Sequence, residues 1–413
     1  MSHDDPGRHE SETERLFGGY SGGLLVSVSL AWATLQFGRF LLSPLLPAII
    51  TDLGLTAATA GLTLGGFQLL YAVIQFPSGR VSDVFDRPAM VAGGLVILIV
   101  SFALLAGATT PAVFVIAVLT LGLGKGLFAV PSRAQLSDSF VAKRGQALGI
   151  YAAGTDVGGI LAAIVGVLVT GGSIFGAVAL SADVSWRVPF APLAGLLVVV
   201  TIGYILSNRE PYRVGRPSLG LVTTIRRLAT TREQREALIA FALFYFVVGA
   251  WVNFLPAYLT ATKDFSEATA AGVFAVVFVV GFVVKPVAGG IADRIPRRGV
   301  AVGGLLISIV ALAGVMVSQQ LGPVVVATAL YAFGYKAVFP VVDALLLDGA
   351  PDANVGGDLG AARALFLGVG AFGPVYLGWV VETAGYRVGF VGLGGCLLIA
   401  VGLLARGLRS SSH

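Results

Sequence analysis

The chain has 413 residues, 56% of them hydrophobic and only 12% charged, whereas a soluble domain usually carries about 25% charged residues. That surplus of apolar surface excludes an ordinary water-soluble domain and points to lipid as the solvent. The three histidines (His3, His9 and His413) lie in polar tails and the single cysteine is Cys396, so no disulfide framework, zinc-ligand set or histidine-based triad is available, and no metal or cofactor is expected.

Residues 1–21 are polar and mixed in charge and form a tail. The first apolar run, 22–50, is longer than a signal-peptide core of roughly 7–15 residues and is read as a retained transmembrane helix. A helix needs about 20 apolar residues to cross a bilayer core of about 30 Å. Eleven further runs meet that rule, at 57–82, 89–109, 111–137, 145–171, 186–207, 237–261, 267–292, 299–319, 321–347, 359–382 and 387–406. The longest interval, 208–236, carries Pro211, Pro217 and seven arginines and separates six spans from six. The expected fold is an all-α membrane protein of twelve transmembrane helices in two pseudo-symmetric bundles, 22–207 and 237–406, joined by the 208–236 linker and ending in a short 407–413 tail.

Orientation follows from the cations. With both termini cytoplasmic, the inner segments hold Arg80, Arg87, Lys143, Arg144, the linker arginines, Arg294, Arg297 and Arg298, while the outer segments hold only Arg187, Lys263 and Arg387. The excess of basic residues in short loops therefore reads as the positive-inside signal, and nucleic acid is not an expected partner. Trp186 and Trp379, near span ends, read as interfacial anchors.

The halves echo each other at an offset near 210 residues. Leu46–Pro47–Ala48 recurs as Leu255–Pro256–Ala257, Gly79–Arg80–Val81–Ser82–Asp83 as Gly289–Gly290–Ile291–Ala292–Asp293, and Gly124–Lys125–Gly126 as Tyr335–Lys336–Ala337. Parallel six-span repeats place a binding site between the halves near the bilayer midplane.

From Gly22 to Arg406 the chain resembles the major facilitator superfamily. The loop after span two matches that family's pattern Gly-x-x-x-Asp-x-x-Gly-Arg-(Arg/Lys) at Gly79, Asp83 and Arg87, with Asp86 and Pro88 departing from it. The copy after span eight matches at Gly289, Asp293, Arg297 and Arg298, with Pro296 at the glycine position. Gly38–Arg39–Phe40 with Pro44 and Pro47 resembles the family's first span, and Asp138, Arg144 and Gly145 its junction of spans four and five. The resemblance implies a secondary transporter working by alternating access in the cell membrane, with Gly79, Asp83, Arg87, Asp138, Arg144, Gly289, Asp293, Arg297 and Arg298 as a gating set and spans one, four, seven and ten lining the central cavity. Arg87 pairing with Asp138 across the cytoplasmic face is expected to belong to the latch.

Ionisable groups inside spans cost roughly 2.5–3.5 kcal/mol each on insertion scales and are functional by default. Arg39, Lys125, Lys285 and Lys336 lie well inside spans one, four, eight and ten, while Arg133 and Arg363 sit near inner helix ends, where snorkelling explains them. The internal acids are Asp156 and Asp343. Either is a candidate proton carrier, and Asp343, two turns after Lys336, is also placed to pair with Lys285 or Lys336. Gln36, Gln68, Tyr71, Tyr245, Trp251 and Asn253 are candidates to complete the binding site. Four cations against two acids leave a positive cavity that an anion would neutralise.

The reading is a transporter of a small anionic solute, an organic carboxylate or inorganic oxyanion, by proton symport or anion exchange, acting as a monomer in the lipid bilayer. Two others stand beside it: a proton-coupled multidrug exporter and a non-transporting membrane sensor. No phosphate-binding glycine loop, metal spacing or nucleophile–base pair points to an enzyme.

Overall fold

In the computed structural model, residues 15–82, 87–140, 143–174, 178–179, 184–207, 232–292, 296–347 and 355–410 are described. Helices α1 (Gly19–Leu41), α2 (Leu46–Leu53), α3 (Ala57–Ser82), α4 (Arg87–Ala106), α5 (Pro111–Ser139), α6 (Arg144–Val169) and α7 (Phe190–Ser207) build the first half. A two-residue antiparallel pair, β1 (Ser173–Ile174) with β2 (Val178–Ala179), follows α6. The second half comprises α8 (Arg232–Lys263), α9 (Glu267–Ala292), α10 (Arg297–Val317), α11 (Leu321–Leu347), α12 (Val355–Gly370) and α13 (Phe372–Ser410).

Ten helical stretches among the described residues are long and apolar enough to cross a membrane. The last of them, Ala362–Arg406, has 45 residues, which at 1.5 Å rise would run about 68 Å, twice a bilayer core. It is two spans: Gly385, at φ +83°, takes a conformation that breaks the helix. Phe190–Leu206 is a shorter apolar helix in the place of span six, so the twelve expected spans are all accounted for. Large apolar side chains such as Val199, Val310, Phe282 and Trp379 point outward, as lipid-facing surfaces require.

Two expectations are modified. The run 22–50 is not one helix: Pro44 has no N–H to continue α1, and the chain restarts as α2 with Pro47 in its first turn. Trp186 is no interfacial anchor. It is 4% exposed, sits edge-on to Phe114 and Phe190, and donates from Nε1 to Asp52 at 3.1 Å.

The repeat extends to the caps. Gly54 ends α2 at φ +61°, and Asp264 takes φ +54° after α8. Thr56 Oγ1 accepts from Thr59 N ahead of α3, as Ser266 Oγ accepts from Thr269 N ahead of α9, both at 3.1 Å. Each pair lies 210 positions apart (54 to 264, 56 to 266, 59 to 269). A side chain at Gly124 would meet Gly94 O, and one at Gly334 would meet Gly304 O, again at the same spacing. This register equates Lys125 with Tyr335, so Lys336 stands one residue, about 100° of helix, beyond the position expected for it.

Within the first half α1 packs on α6, α3 on α5, and α4 on α5 and α7; within the second, α8 packs on α12 and α13, α9 on α11, and α10 on α11 and α13. The halves meet where α6 packs on α9 and α3 on α12 and α13. Close approach there is by glycine: Cβ atoms at Gly61 and Gly378 would lie 2.3 Å from Pro374 O and 2.4 Å from Ala57 O. Glu382 Oε2 accepts from Ala58 N at 3.1 Å across the same seam.

Replacing Gly304 by Ala puts a methyl 2.7 Å from Gly334 O, so α10 and α11 must separate, a change that typically costs about 1–3 kcal/mol. The neighbouring Gly303 faces open space. Thermal unfolding in detergent is expected to show a lowered midpoint for Gly304→Ala and none for Gly303→Ala.

Candidate functional site

A cavity of about 420 Å³ lies between the halves. From the first half its walls are one face each of α1 (Trp32, Gln36, Arg39), α3 (Gln68, Tyr71, Gln75) and α5 (Lys125, Arg133), with Thr155 of α6. From the second they include Tyr245 of α8, Phe278 and Lys285 of α9, Tyr335, Lys336 and Phe339 of α11, and Arg363 of α12. Residues three, four or eight apart on a helix share a face, which is why so few helices supply so many side chains.

Six basic side chains thus line one opening. Two of them are buried, Lys125 at 6% and Lys336 at 4% exposed, and Arg39 is half-buried, with its Nη1 atom enclosed and lacking a hydrogen-bond partner among the described residues. Towards the ends where α5 leads into α6, Lys285, Arg133 and Arg363 are only half-buried.

The cations are held in two ways. Those of the first half sit on aromatic rings. Lys125 Nζ lies 4.3 Å from the centroid of Tyr71, 5.4 Å from Phe67 and 5.6 Å from Trp32, and the Arg39 guanidinium lies 4.4 Å from Phe40 and 5.7 Å from Phe67. Arg133 lies 5.3 Å from Trp32. Ring faces attract cations by about 0.5–2 kcal/mol, which leaves N–H donors open to a further partner. Trp32 is fixed by its Nε1 donating to Thr155 Oγ1 at 2.9 Å and by stacking on Tyr151 at 5.1 Å.

The second half uses an ion bridge. Asp156, on α6, accepts from Lys285 Nζ at Oδ2 (2.5 Å) and from Lys336 Nζ at Oδ1 (3.0 Å). The structure therefore gives both lysines the carboxylate of Asp156; the side chain of Asp343 lies outside the described residues.

Of the ten expected binding residues, Arg39, Lys125, Lys285, Lys336, Gln36, Gln68, Tyr71 and Tyr245 face the cavity. Trp251 and Asn253 do not. Trp251 packs against Tyr331 at 4.2 Å and Phe390 at 5.5 Å, and Asn253 Nδ2 donates back to Gly249 O at 2.6 Å within its own helix. Arg133, Arg363, Trp32 and Thr155 join the lining although the sequence had not singled them out for it. Arg133 falls eight residues after Lys125, and that spacing was the available signal.

At the helix ends, Arg87 pairs with Asp138, Arg144 Nε donates to Ser137 O at 3.0 Å, and Arg298 Nη2 donates to Glu233 Oε2 at 3.3 Å. Each contact joins elements of one half. Arg297 begins α10. Asp83 and Asp293 lie outside the described residues, as do the surroundings of Gly79 and Gly289.

Twelve apolar spans in two repeated halves around a polar cavity define a multi-pass membrane carrier. The sequence profile described as Major Facilitator Superfamily matches residues 28–321 and 273–412, and the chain belongs to that family of transporters. It is 22% identical over 405 residues to the "Hexuronate transporter" of Bacillus subtilis (strain 168), covering 92% of each chain. To the "Probable sulfoacetate transporter SauU" of Cupriavidus necator it is 26% identical, covering 87% of this chain and 86% of that one. The "Chloramphenicol resistance protein" of Streptomyces lividans is 26% identical, covering 92% and 94%. Among solved structures, an inward-facing, unoccupied bacterial homolog of the human lysosomal transporter Spinster shares the fold at TM-score 0.78 and 18% identity, covering 94% of this chain and 97% of that one.

Because Trp251 is buried in an aromatic cluster off the cavity, Trp251→Ala is expected to lower thermal stability, by about 3–5 kcal/mol on the scale of large core truncations. Solute affinity measured on the folded fraction should stay within twofold or so of wild type, in the manner of a distant independent site.

Proposed function

We propose that the protein moves a small anionic solute, an organic carboxylate or a small oxyanion, by alternating access of the central cavity. One observation carries this reading: among the described residues, Arg39 Nη1 is enclosed without a hydrogen-bond partner, beside Lys125, whose ammonium lies over three ring faces. Buried charge without a partner is costly, and an anion between these groups supplies the missing acceptor. Gln36, whose Oε1 is also unpartnered, is one turn from Arg39 and available to the solute's hydroxyl or amide groups. The aromatic walls of Trp32, Tyr71 and Tyr245 suit the apolar face of a sugar acid or a short-chain acid.

The names of the relatives agree in kind: a hexuronate and sulfoacetate are both small anions. The chloramphenicol relative keeps drug export as the second reading. Against export of cations, α1 presents Arg39 to the cavity, and no acid of α1 or α3 lines it among the described residues. Energy comes from a gradient, either through protons or by exchange of one anion for another. The halves as bounded above, 22–207 and 237–406, are the units proposed to rock about the seam of α6 with α9 and α3 with α12 and α13. The gating role of Arg87, Asp138, Arg144, Arg297 and Arg298, with Gly79, Asp83, Gly289 and Asp293, is proposed at the opposite, inner end, with both termini cytoplasmic.

The test is uptake of labelled glucuronate, sulfoacetate and sulfate into liposomes holding the purified protein, with labelled chloramphenicol alongside. Uptake of at least one anion is expected, driven by an imposed pH gradient if protons are coupled and by preloaded anion if exchange operates. Arg39→Gln and Lys125→Gln should each weaken it roughly tenfold to a hundredfold, the loss of a charge-assisted hydrogen bond of about 1.5–3 kcal/mol. Transport of chloramphenicol alone, or wild-type rates in both variants, overturns the reading.

A further inference from the structure

We propose that Asp156 acts as a resident stand-in for the solute's anionic group: its carboxylate occupies an anion seat between Lys285 and Lys336, and the solute takes that seat by displacing it. Displacement also unfastens the halves. This rests on the anionic-solute reading and goes on to say which groups the solute competes with.

The geometry has three parts. First, Asp156 belongs to the first half, on α6, and both lysines to the second, on α9 and α11. Among ion pairs whose partners are both described, Arg87–Asp138, Arg187–Asp52, Arg232–Glu236 and Arg298–Glu233 stay within one half; only the two lysine pairs cross. The bridge is therefore both a charge partner and a tie.

Second, the seat borders the cavity through its two lysines. Lys285 and Lys336 both line the cavity, whereas Asp156 does not. The lysine side chains are 30% and 5% exposed and that of Asp156 is 3% exposed. Of the two, Lys285 is the more exposed and is the one an anion in the cavity would meet first. Each ammonium holds one carboxylate oxygen, at 2.5 and 3.0 Å. A carboxylate, sulfonate or phosphate presents the same two-oxygen edge.

Third, the seat is built tightly around this pairing. A Cβ at Gly281 would lie 2.8 Å from Lys336 Cε and 2.9 Å from Asp156 Oδ1, so α9 approaches the bridge closely where it has no side chain. The Phe278 ring lies 4.8 Å from Lys336 Nζ and packs against Gly159, where a Cβ would come within 2.1 Å of it. Among the described residues, Asp156 is the one carboxylate paired with either ammonium group.

Energetically, this is an exchange of partners. Two unpaired lysines inside the bilayer would be costly, so Asp156 keeps the empty carrier stable. The solute replaces one carboxylate by another across the same cations, and the released carboxylate is solvated by the water of the opened cavity. A modest difference between the two arrangements then suffices to shift the population of the carrier.

Wild type, Asp156→Asn and Gly281→Ala are to be titrated calorimetrically with glucuronate, sulfoacetate and sulfate, and their exchange rates measured in liposomes. If the seat is free about one-tenth of the time, removing the competitor tightens binding roughly tenfold. Asp156→Asn is expected to bind more tightly yet exchange more slowly, since nothing reoccupies the lysines when the solute departs. Gly281→Ala keeps every charge but crowds the bridge, so tighter binding is expected there too; it carries the test alone if Asp156→Asn does not fold. Unchanged or weaker binding in Asp156→Asn overturns the displacement and leaves the anionic-solute reading standing. Tighter binding in Asp156→Asn with none in Gly281→Ala reduces the effect to net cavity charge and also overturns it. No binding by any of the three proteins overturns both.

Discussion

Positive charge inside an apolar slab is the constraint around which this molecule is organised. Charged groups within a bilayer are retained where they meet a partner, a ring face or a water-filled space. Here the first two appear in one cavity. Lys125 and Arg39 rest on rings, Lys285 and Lys336 share one carboxylate, and Arg133 and Arg363 line the same cavity half-buried. The arrangement separates cations that are satisfied in the empty carrier from cations with N–H groups to spare. Under the proposed function the second kind binds the solute; the first kind ties the halves together.

The two halves are alike in backbone and unlike in chemistry. The left-handed residues Gly54 and Asp264, the hydroxyl caps Thr56 and Ser266, and the glycine contacts at Gly94–Gly124 and Gly304–Gly334 all keep a spacing of 210 positions. Backbone turns and close helix contacts have few solutions, so a duplicated fold retains them. The cavity residues are under no such restriction. In this register Lys125 corresponds to Tyr335, and the second lysine has moved one position along α11, which turns it towards Asp156 on α6. A symmetric scaffold thereby acquires a site with one ring-held face and one ion-bridged face.

Glycine sets how closely the halves meet. At Gly61, Gly159, Gly281 and Gly378 a methyl group would collide with the other half. Van der Waals packing rather than hydrophobic burial drives helix association within lipid, so these contacts determine which helices form the seam. The Glu382–Ala58 hydrogen bond and the Asp156 bridge are the polar additions to it. One lies near a helix end and the other beside the cavity.

Span number, the division into six and six, and the presence of costly internal cations were all legible in the sequence, because lipid imposes a length and a polarity on each crossing segment that neighbours cannot relax. The repeat was legible for the same reason, to within one residue. What needed the tertiary structure was facing and partnership. Trp251 and Asn253 sit in the cavity-lining helix α8 but point away from the cavity, and Trp186 lies at a span end yet is buried; rotation about a helix axis is invisible in a run that is apolar on every side. Arg133 and Arg363 look like snorkelling ends until the helices are assembled around a common opening. The pairing of Asp156 with two lysines 129 and 180 residues away depends on α6, α9 and α11 meeting at one point. Composition decides that such charges must be satisfied; only the packing of the halves decides by which groups.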